Sequence, residues 1–337
     1  MAVVVPDAAH NRRPEPAADP AGLLAIDKPA GVTSHDVVDV VRRHLRIKRA
    51  GHLGTLDPGA TGLLLLATGA ATRAITVWQG GEKTYEAVVR FGIVTATQDI
   101  HGDVIEQSGR VPAEADVRAA ALEFVGETDQ LPPMVSAIKV GGERLYDLAR
   151  RGVEVERQPR RIHVRSWEWL GFTGSDARFR VVCSGGTYVR TLAHDLGQRL
   201  GTGATLAELR RLRSEPFGLE RSIGLTELKA STPEQVWERA GLTLDAALAH
   251  LPSLVLAASE AAEIGFGGRP RIPVDRLADV PLAAGPRSVC FADATGRVLA
   301  LGELTPLPDT RATAPPTFAE VHAQVVFPWS AREGKTR

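Results

Sequence analysis

The segment GHLGTLDPGATGLLLL, residues 51 to 66, sets one carboxylate, Asp57, among glycines directly ahead of an apolar run. Such a carboxylate can act as a nucleophile or a proton acceptor if its turn presents it to a ligand. Leu-Asp-Pro-Gly is also good turn chemistry, with Pro58 fixing φ and Gly59 free to take a positive φ. An aspartate bonded to its own backbone is therefore the competing reading. The glycines do not form a phosphate loop, because no Gly-Lys-Ser/Thr follows, and the dinucleotide pattern Gly-x-Gly-x-x-Gly is absent. The nine histidines and two cysteines, Cys183 and Cys290, show no ligand spacing, so no metal or organic cofactor is implied.

The elements that must carry Asp57 are mixed α and β. LLAID (23 to 27) and LLLLA (63 to 67) read as buried strands, and TYEAVVRF (84 to 91) alternates through Tyr85, Ala87, Val89 and Phe91. Val37, Val38, Val41 and Leu45 recur at helical spacing after the N-cap candidates Thr33 and Ser34. RIHVRSWEWL and ARFRVVC alternate in succession, which favours antiparallel pairing over a doubly wound sheet. Helical patterns are expected over 113 to 124, 142 to 151, 188 to 200 and 204 to 213. From about residue 250, RSVCFAD, GRVLALGEL and AQVVFP alternate with Gly and Pro punctuation, the texture of a small β-rich domain.

Lys and Arg total 40 and so do Asp and Glu, which by itself argues against a phosphate-binding surface. The charges are segregated, however. VRRHLRIKRAGH (41 to 52) holds five Lys/Arg and no acid, and RRLR (210 to 213) adds three more, whereas eight acids lie between Asp99 and Asp129. Such polarity allows one basic face on a neutral molecule, as a polyanion requires, although solvated helix faces give the same pattern. The opening residues carry no secretory pattern and no apolar run approaches the roughly 20 residues of a membrane span, so a cytoplasmic chain in a reducing compartment is expected.

Five segments occur in a fixed order: DKPAGVTSHDVV (27 to 38), GHLGTLDPGATG (51 to 62), KTYEAVVRFG (83 to 92), PPMVSAIKVGGERLYDLARRG (132 to 152) and CSGGTYVRTLAHDLG (183 to 197). On these motifs the chain closely resembles the TruB family of tRNA pseudouridine synthases from about residue 23 to 220. The resemblance implies an α+β pseudouridine synthase fold with a mixed, largely antiparallel sheet flanked by helices. A tail (1–22), a catalytic domain (23–250), a PUA-like RNA-binding domain (251–330) and a short tail (331–337) would follow one another. The implied activity is isomerisation of uridine 55 in the T loop of tRNA, by a monomer with no obligatory protein partner.

The same resemblance makes Asp57 the catalytic aspartate and Arg190 the cation that should hold its pKa down. It makes Tyr85 the ring that stacks on the target base and helps remove the C5 proton, with a core tyrosine as the alternative. Lys28 would buttress the pocket near Tyr85. Tyr188 and Leu209, both read here as helical, would contact the extruded nucleotide, and His52 would fill the space that nucleotide leaves. The basic runs at 42 to 49 and 210 to 213 suit RNA phosphates. Gly185, Ala96 and Thr205 depart from the family pattern, where lysine, an acid and histidine are common. A non-catalytic RNA-binding or tRNA-folding protein, and a guide-RNA-dependent synthase, are the alternatives to the main reading.

Overall fold

The apolar runs Gly22–Lys28 (β1) and Thr61–Thr68 (β3) pair antiparallel along their whole lengths, from Gly22 against Thr68 to Lys28 against Gly62. Neither strand alternates, because both faces are covered. Leu24, Ile26, Leu64 and Leu66 enter one core, while Leu23, Leu63 and Leu65 enter another on the opposite side. This computed structural model describes residues 19–331 except 137–138, 145–147, 149–150, 154, 278–279, 281–287 and 308–316.

Around that pair a mixed sheet is built from β2 (Ala50–His52), β4 (Lys83–Phe91), β5 (Gly126–Gln130), β6 (Arg160–Thr173), β7 (Asp176–Cys183), β8 (Ala204–Ser214) and β9 (Ile223–Gly224). Its order is β9-β1-β3-β8-β4-β7-β6-β5, with β2 added beside β3. The pairs β8–β3 and β9–β1 are parallel and the remaining neighbours in that order are antiparallel. The expected mixed, largely antiparallel sheet is therefore present, and the helices α1 (Ser34–Leu45), α2 (Glu114–Leu122) and α3 (Val189–Arg199) contribute their apolar residues to its main core. α1 starts at Thr33, whose side chain and that of Asp36 cap each other's backbone amides.

The helix expected over 204 to 213 is instead β8. Two register shifts against β4, between Leu206 and Glu208 and between Arg211 and Arg213, interrupt its alternation. Leu206, Leu209 and Leu212 then recur every third residue and imitate a helical stripe. The pattern expected at 142 to 151 lies largely outside the described residues, although Glu143–Arg144 pairs as a strand with Lys139–Val140. The N-terminal tail was expected to run to residue 22, yet the Asp19 carboxylate accepts from the amides of Lys48 and Arg49 and the Pro20 carbonyl from Thr68.

A second sheet of five strands, in the order Ser253–Val255, Val289–Ala292, Val298–Leu307, Phe318–Val326 and Arg271–Pro273, forms the C-terminal part. It does not stand apart from the main sheet. Cys290, Val298, Leu301 and Phe327 share one buried cluster with Leu63 and Leu65 of β3, and Arg73 donates to the Val326 carbonyl at 2.7 Å.

Candidate active site

The turn that carries Asp57 is held from three sides by the main chain and by buried polar groups. The Ala60 amide donates to the Asp57 carbonyl at 3.0 Å, which closes the turn. Ser34, at the start of α1, donates to the Leu56 carbonyl and accepts from the Leu56 amide, at 2.9 and 2.8 Å. On the far side the Pro58 carbonyl accepts from the Gly31 amide and from the Lys28 ammonium. Turn formation and presentation of the side chain thus coexist, because backbone bonds close the turn and leave the carboxylate for another partner. Gly59 is free to take a positive φ. It does not use that freedom, and a Cβ there would stand 2.2 Å from Nε2 of the exposed His101 ring, which would have to swing aside.

Asp57 faces Arg190, whose Nη2 lies 3.4 Å from each carboxylate oxygen. α3 supplies this arginine from its second residue and keeps the side chain 5% exposed, against 38% for the Asp57 side chain. The guanidinium also donates to the Val135 carbonyl at 2.6 Å and lies 3.6 Å from Asp99. Asp99 was not among the expected site residues. Its loop is stitched in place by Thr95 bonding both Thr205 and the Asp99 carbonyl, by Thr191 bonding Gln98, and by Leu206 exchanging backbone bonds with Gln98 and Ile100.

The expected direction of the Asp57 pKa needs correction. Burial pushes this carboxyl above the ordinary aspartate range, Arg190 opposes the rise, and Asp99 adds to it. The long, shared contact with Arg190 does not offset the cost of removing the carboxylate from bulk water. The side chain still meets solvent, because it lies in an open cleft of about 930 Å³ lined among others by Thr61, Val88, Phe179, Leu206 and Leu209.

The other expected site residues divide into several groups. Leu209 lines the cleft with Asp57, but from strand β8 and not from a helix. Tyr85 is 8% exposed and packs in the main core opposite Arg211 on β8, within reach of the Arg211 and Asp57 charges. Burial pushes its phenol up from the usual value. Tyr188 caps α3, its backbone is clamped by the Gln130 amide, and Arg190 stacks over its ring at 5.8 Å. His52 sits half-buried on β2 opposite Leu66, outside the cleft lining.

Lys28 was expected near Tyr85. Its hydrogen bonds run instead to the carbonyls of Pro29, Val32 and Pro58, so it braces the Asp57 turn. Burial lowers its ammonium to about 8, with Asp57 opposing that fall. Arg211, read from sequence as part of a basic patch, is buried and donates to the carbonyls of Leu63 and Gly54. Its patch-mates are also engaged, Arg210 by Asp27 at 2.7 and 3.0 Å and Arg213 by Glu215 and Glu220. The run at 210 to 213 is therefore structural. The run at 42 to 49 remains on the surface, where Arg42, Arg43, Arg46, Lys48 and Arg49 are all exposed.

The three departures have separate physical settings. Ala96 is exposed in a hairpin. Thr205 is fully buried and braces Thr95 behind Asp99. A Cβ at Gly185 would stand 2.6 Å from the Gln79 carbonyl oxygen, so a longer residue there requires the backbone to shift. Among the described residues no group of three or more His, Cys, Asp or Glu is placed to hold a metal ion, and no helix is long and apolar enough to cross a membrane.

Comparison with known proteins gives a consistent result. Residues 42–189 match the model of the TruB family pseudouridylate synthase N-terminal domain, and residues 190–255 match that of the tRNA pseudouridylate synthase B C-terminal domain. The chain is 46% identical over 262 residues to a tRNA pseudouridine synthase B of Symbiobacterium thermophilum, covering 77% of this chain and 86% of that one. It is 44% identical over 284 residues to the protein of that name from Geobacter sulfurreducens, covering 84% and 93%. Among solved structures, a chain of a Cbf5-Nop10-Gar1 complex superposes with a TM-score of 0.68 at 28% identity, over 94% of this chain and 92% of its own.

Proposed function

The chain belongs to the TruB family of pseudouridylate synthases, and on that premise we propose that it isomerises uridine 55 in the T loop of tRNA through Asp57. It is an isomerase acting on uridine in tRNA. The observation that carries the T-loop assignment to a particular group is the Asp57 carboxylate, fixed by its turn, paired loosely with Arg190 and open to a cleft of about 930 Å³.

Pseudouridine formation exchanges an N1–C1′ bond for a C5–C1′ bond, with no redox change and no net hydrolysis. Asp57 attacks C1′ as the N1–C1′ bond breaks, and the uracil leaves with the electron pair. The uracil turns, C5 displaces the carboxylate from C1′, the proton on C5 is lost and N1 gains one. A glycal route, in which Asp57 instead takes the 2′ proton, uses the same carboxylate. Arg190 keeps Asp57 oriented and favours its ionised form against burial. Tyr85, core-packed opposite Arg211, is suited to holding the base more than to acting as a base, since its phenol is pushed further from neutral pH.

The target base is stacked in a folded T loop and must be extruded, at a cost of a few kcal/mol. The exposed basic run at 42 to 49, next to His52 on β2, supplies phosphate contacts to offset that cost. The five-stranded C-terminal part then serves as the PUA-like RNA-binding domain, and the chain works in the cytoplasm as a monomer without an obligatory partner. The purified chain alone should convert one uridine of an unmodified T-stem-loop transcript. A need for an added protein or guide RNA would overturn the proposal.

A further inference from the structure

Three cations lie buried around Tyr85 and the backbone of the Asp57 turn, Lys83 on β4 two residues before the tyrosine, Arg211 across from it and Lys28 under Pro58, and all their hydrogen bonds go to main-chain carbonyls. Lys28, Arg211 and Lys83 are 0%, 3% and 5% exposed. Lys28 donates to Pro29, Val32 and Pro58, Lys83 to Gln79 and Gly81, and Arg211 to Leu63 and Gly54. Among the described residues none of the three forms a salt bridge with a carboxylate, in contrast to Arg210, Arg213 and Arg180 nearby in the same sheet. Arg211 is the hub. Its charge acts on both lysines and on the phenol of Tyr85, its cross-strand partner on β4.

A fold gains little from burying cations without counter-ions, because each is withdrawn from water and repels the others. Uncompensated positive charge at a reaction centre is useful where negative charge develops during the reaction. In the chemistry proposed for Asp57, the uracil carries the electron pair of the broken N1–C1′ bond until C5 re-attaches. We infer that Arg211 is a positioning residue of the isomerisation: it fixes Tyr85 against the base and, with Lys28 and Lys83, supplies the positive field that retains the detached uracil. The backbone hydrogen bonds serve this role directly. Carbonyl dipoles hold the cations in place without neutralising them, whereas a carboxylate would cancel the field. Arg211 also joins the two sides of the Asp57 turn, through the bend residue Gly54 before it and Leu63 of β3 after it.

The inference rests on the reading of Asp57 as the reacting group, so its test carries Asp57→Asn alongside. Arg211→Met and Arg211→Lys, in the full chain, are assayed for single-turnover rate on T-stem-loop RNA, RNA affinity and melting temperature. Arg211→Met should bind RNA within about threefold of the wild type but react about 30-fold more slowly, as expected for lost electrostatic stabilisation without lost binding. Arg211→Lys should recover about fivefold or more of that loss, since it restores the charge without the full fork of donors. A folded Arg211→Met of wild-type rate, or an Arg211→Lys no faster than Arg211→Met, overturns the inference. If Arg211→Met does not fold, Lys83→Met must by itself slow the reaction several-fold at unchanged RNA affinity, and a wild-type rate there overturns it equally. An active Asp57→Asn removes the functional reading beneath, whereas an inactive Asp57→Asn beside an unimpaired Arg211→Met removes only the role of Arg211.

Discussion

Two aspartate–arginine pairs, one joining strand to strand and the other joining a turn to a helix, do opposite things. Asp27 and Arg210 meet at 2.7 and 3.0 Å in a two-pronged contact, each side chain about one third to two fifths exposed. Asp57 and Arg190 meet only at 3.4 Å, the arginine is buried, and it is shared with Asp99 and the Val135 carbonyl. The first pair satisfies itself and joins β1 to β8 across β3. The second leaves a carboxylate with free lone pairs in a cleft and a pKa above its usual range. Close pairing makes a charge inert, and loose pairing with burial keeps it reactive.

Breaking the loose pair on its carboxylate side should have the largest effect. Asp57→Asn removes the attacking oxygen and should lower the rate of pseudouridine formation by about 10³-fold or more, while tRNA affinity, which comes from phosphates and shape, stays within about tenfold. Rapid-quench conversion and filter binding measure the two. Loss of the cation comes next: Arg190→Met should slow the reaction about 10²-fold, because the orienting and charge-stabilising partner is gone.

The pH dependence sharpens the contrast. Asp57 must be ionised to react and its pKa is raised, so wild-type activity should fail on the acid side at a higher pH than an ordinary aspartate would set. Without Arg190 that limb should move to still higher pH, which a rate profile would reveal. The same sign applies to stability. A raised folded-state pKa means that ionised Asp57 disfavours the fold, so Asp57→Asn should melt no lower than wild type at neutral pH, and any advantage should shrink as pH falls and Asp57 protonates.

In the tight pair, Asp27→Asn should cost about 0.5–1 kcal/mol in a urea melt, given the partial exposure of both partners, and should leave the reaction within about threefold. The smallest effects belong to the surface arginines. Arg43→Ala or Arg49→Ala should each reduce the salt dependence of tRNA binding by roughly 0.7–0.9 in log–log slope, whereas Arg210→Ala, already neutralised by Asp27, should change it less.

The pairing at this site was reached through the family resemblance, whereas the strands around it were legible from local pattern. Asp57 and Arg190 were paired by what the resemblance implies and do meet in the structure, and the runs at 23 to 27, 63 to 67 and 84 to 91 announce their strands. Asp99 and Arg211 were not legible, because what defines them is a partner reached across the sheet or across a helix. Arg211 lay in a run of basic residues that resembled a surface stripe, and only the alternation of a strand, hidden by two bulges, would have turned it inward. The same bulges produced the false helix at 204 to 213. The sign of the Asp57 pKa was missed for a related reason, since a motif gives the partner but not the depth of burial.

The cluster in which Leu63 and Leu65 pack with Val298, Leu301 and Phe327 makes the two sheets one body. Leu63 follows Asp57 by six residues, so the C-terminal strands stand at a set distance from the carboxylate. An RNA that touches both must match that span as an object matches a caliper, and discrimination by length then needs no base to be read.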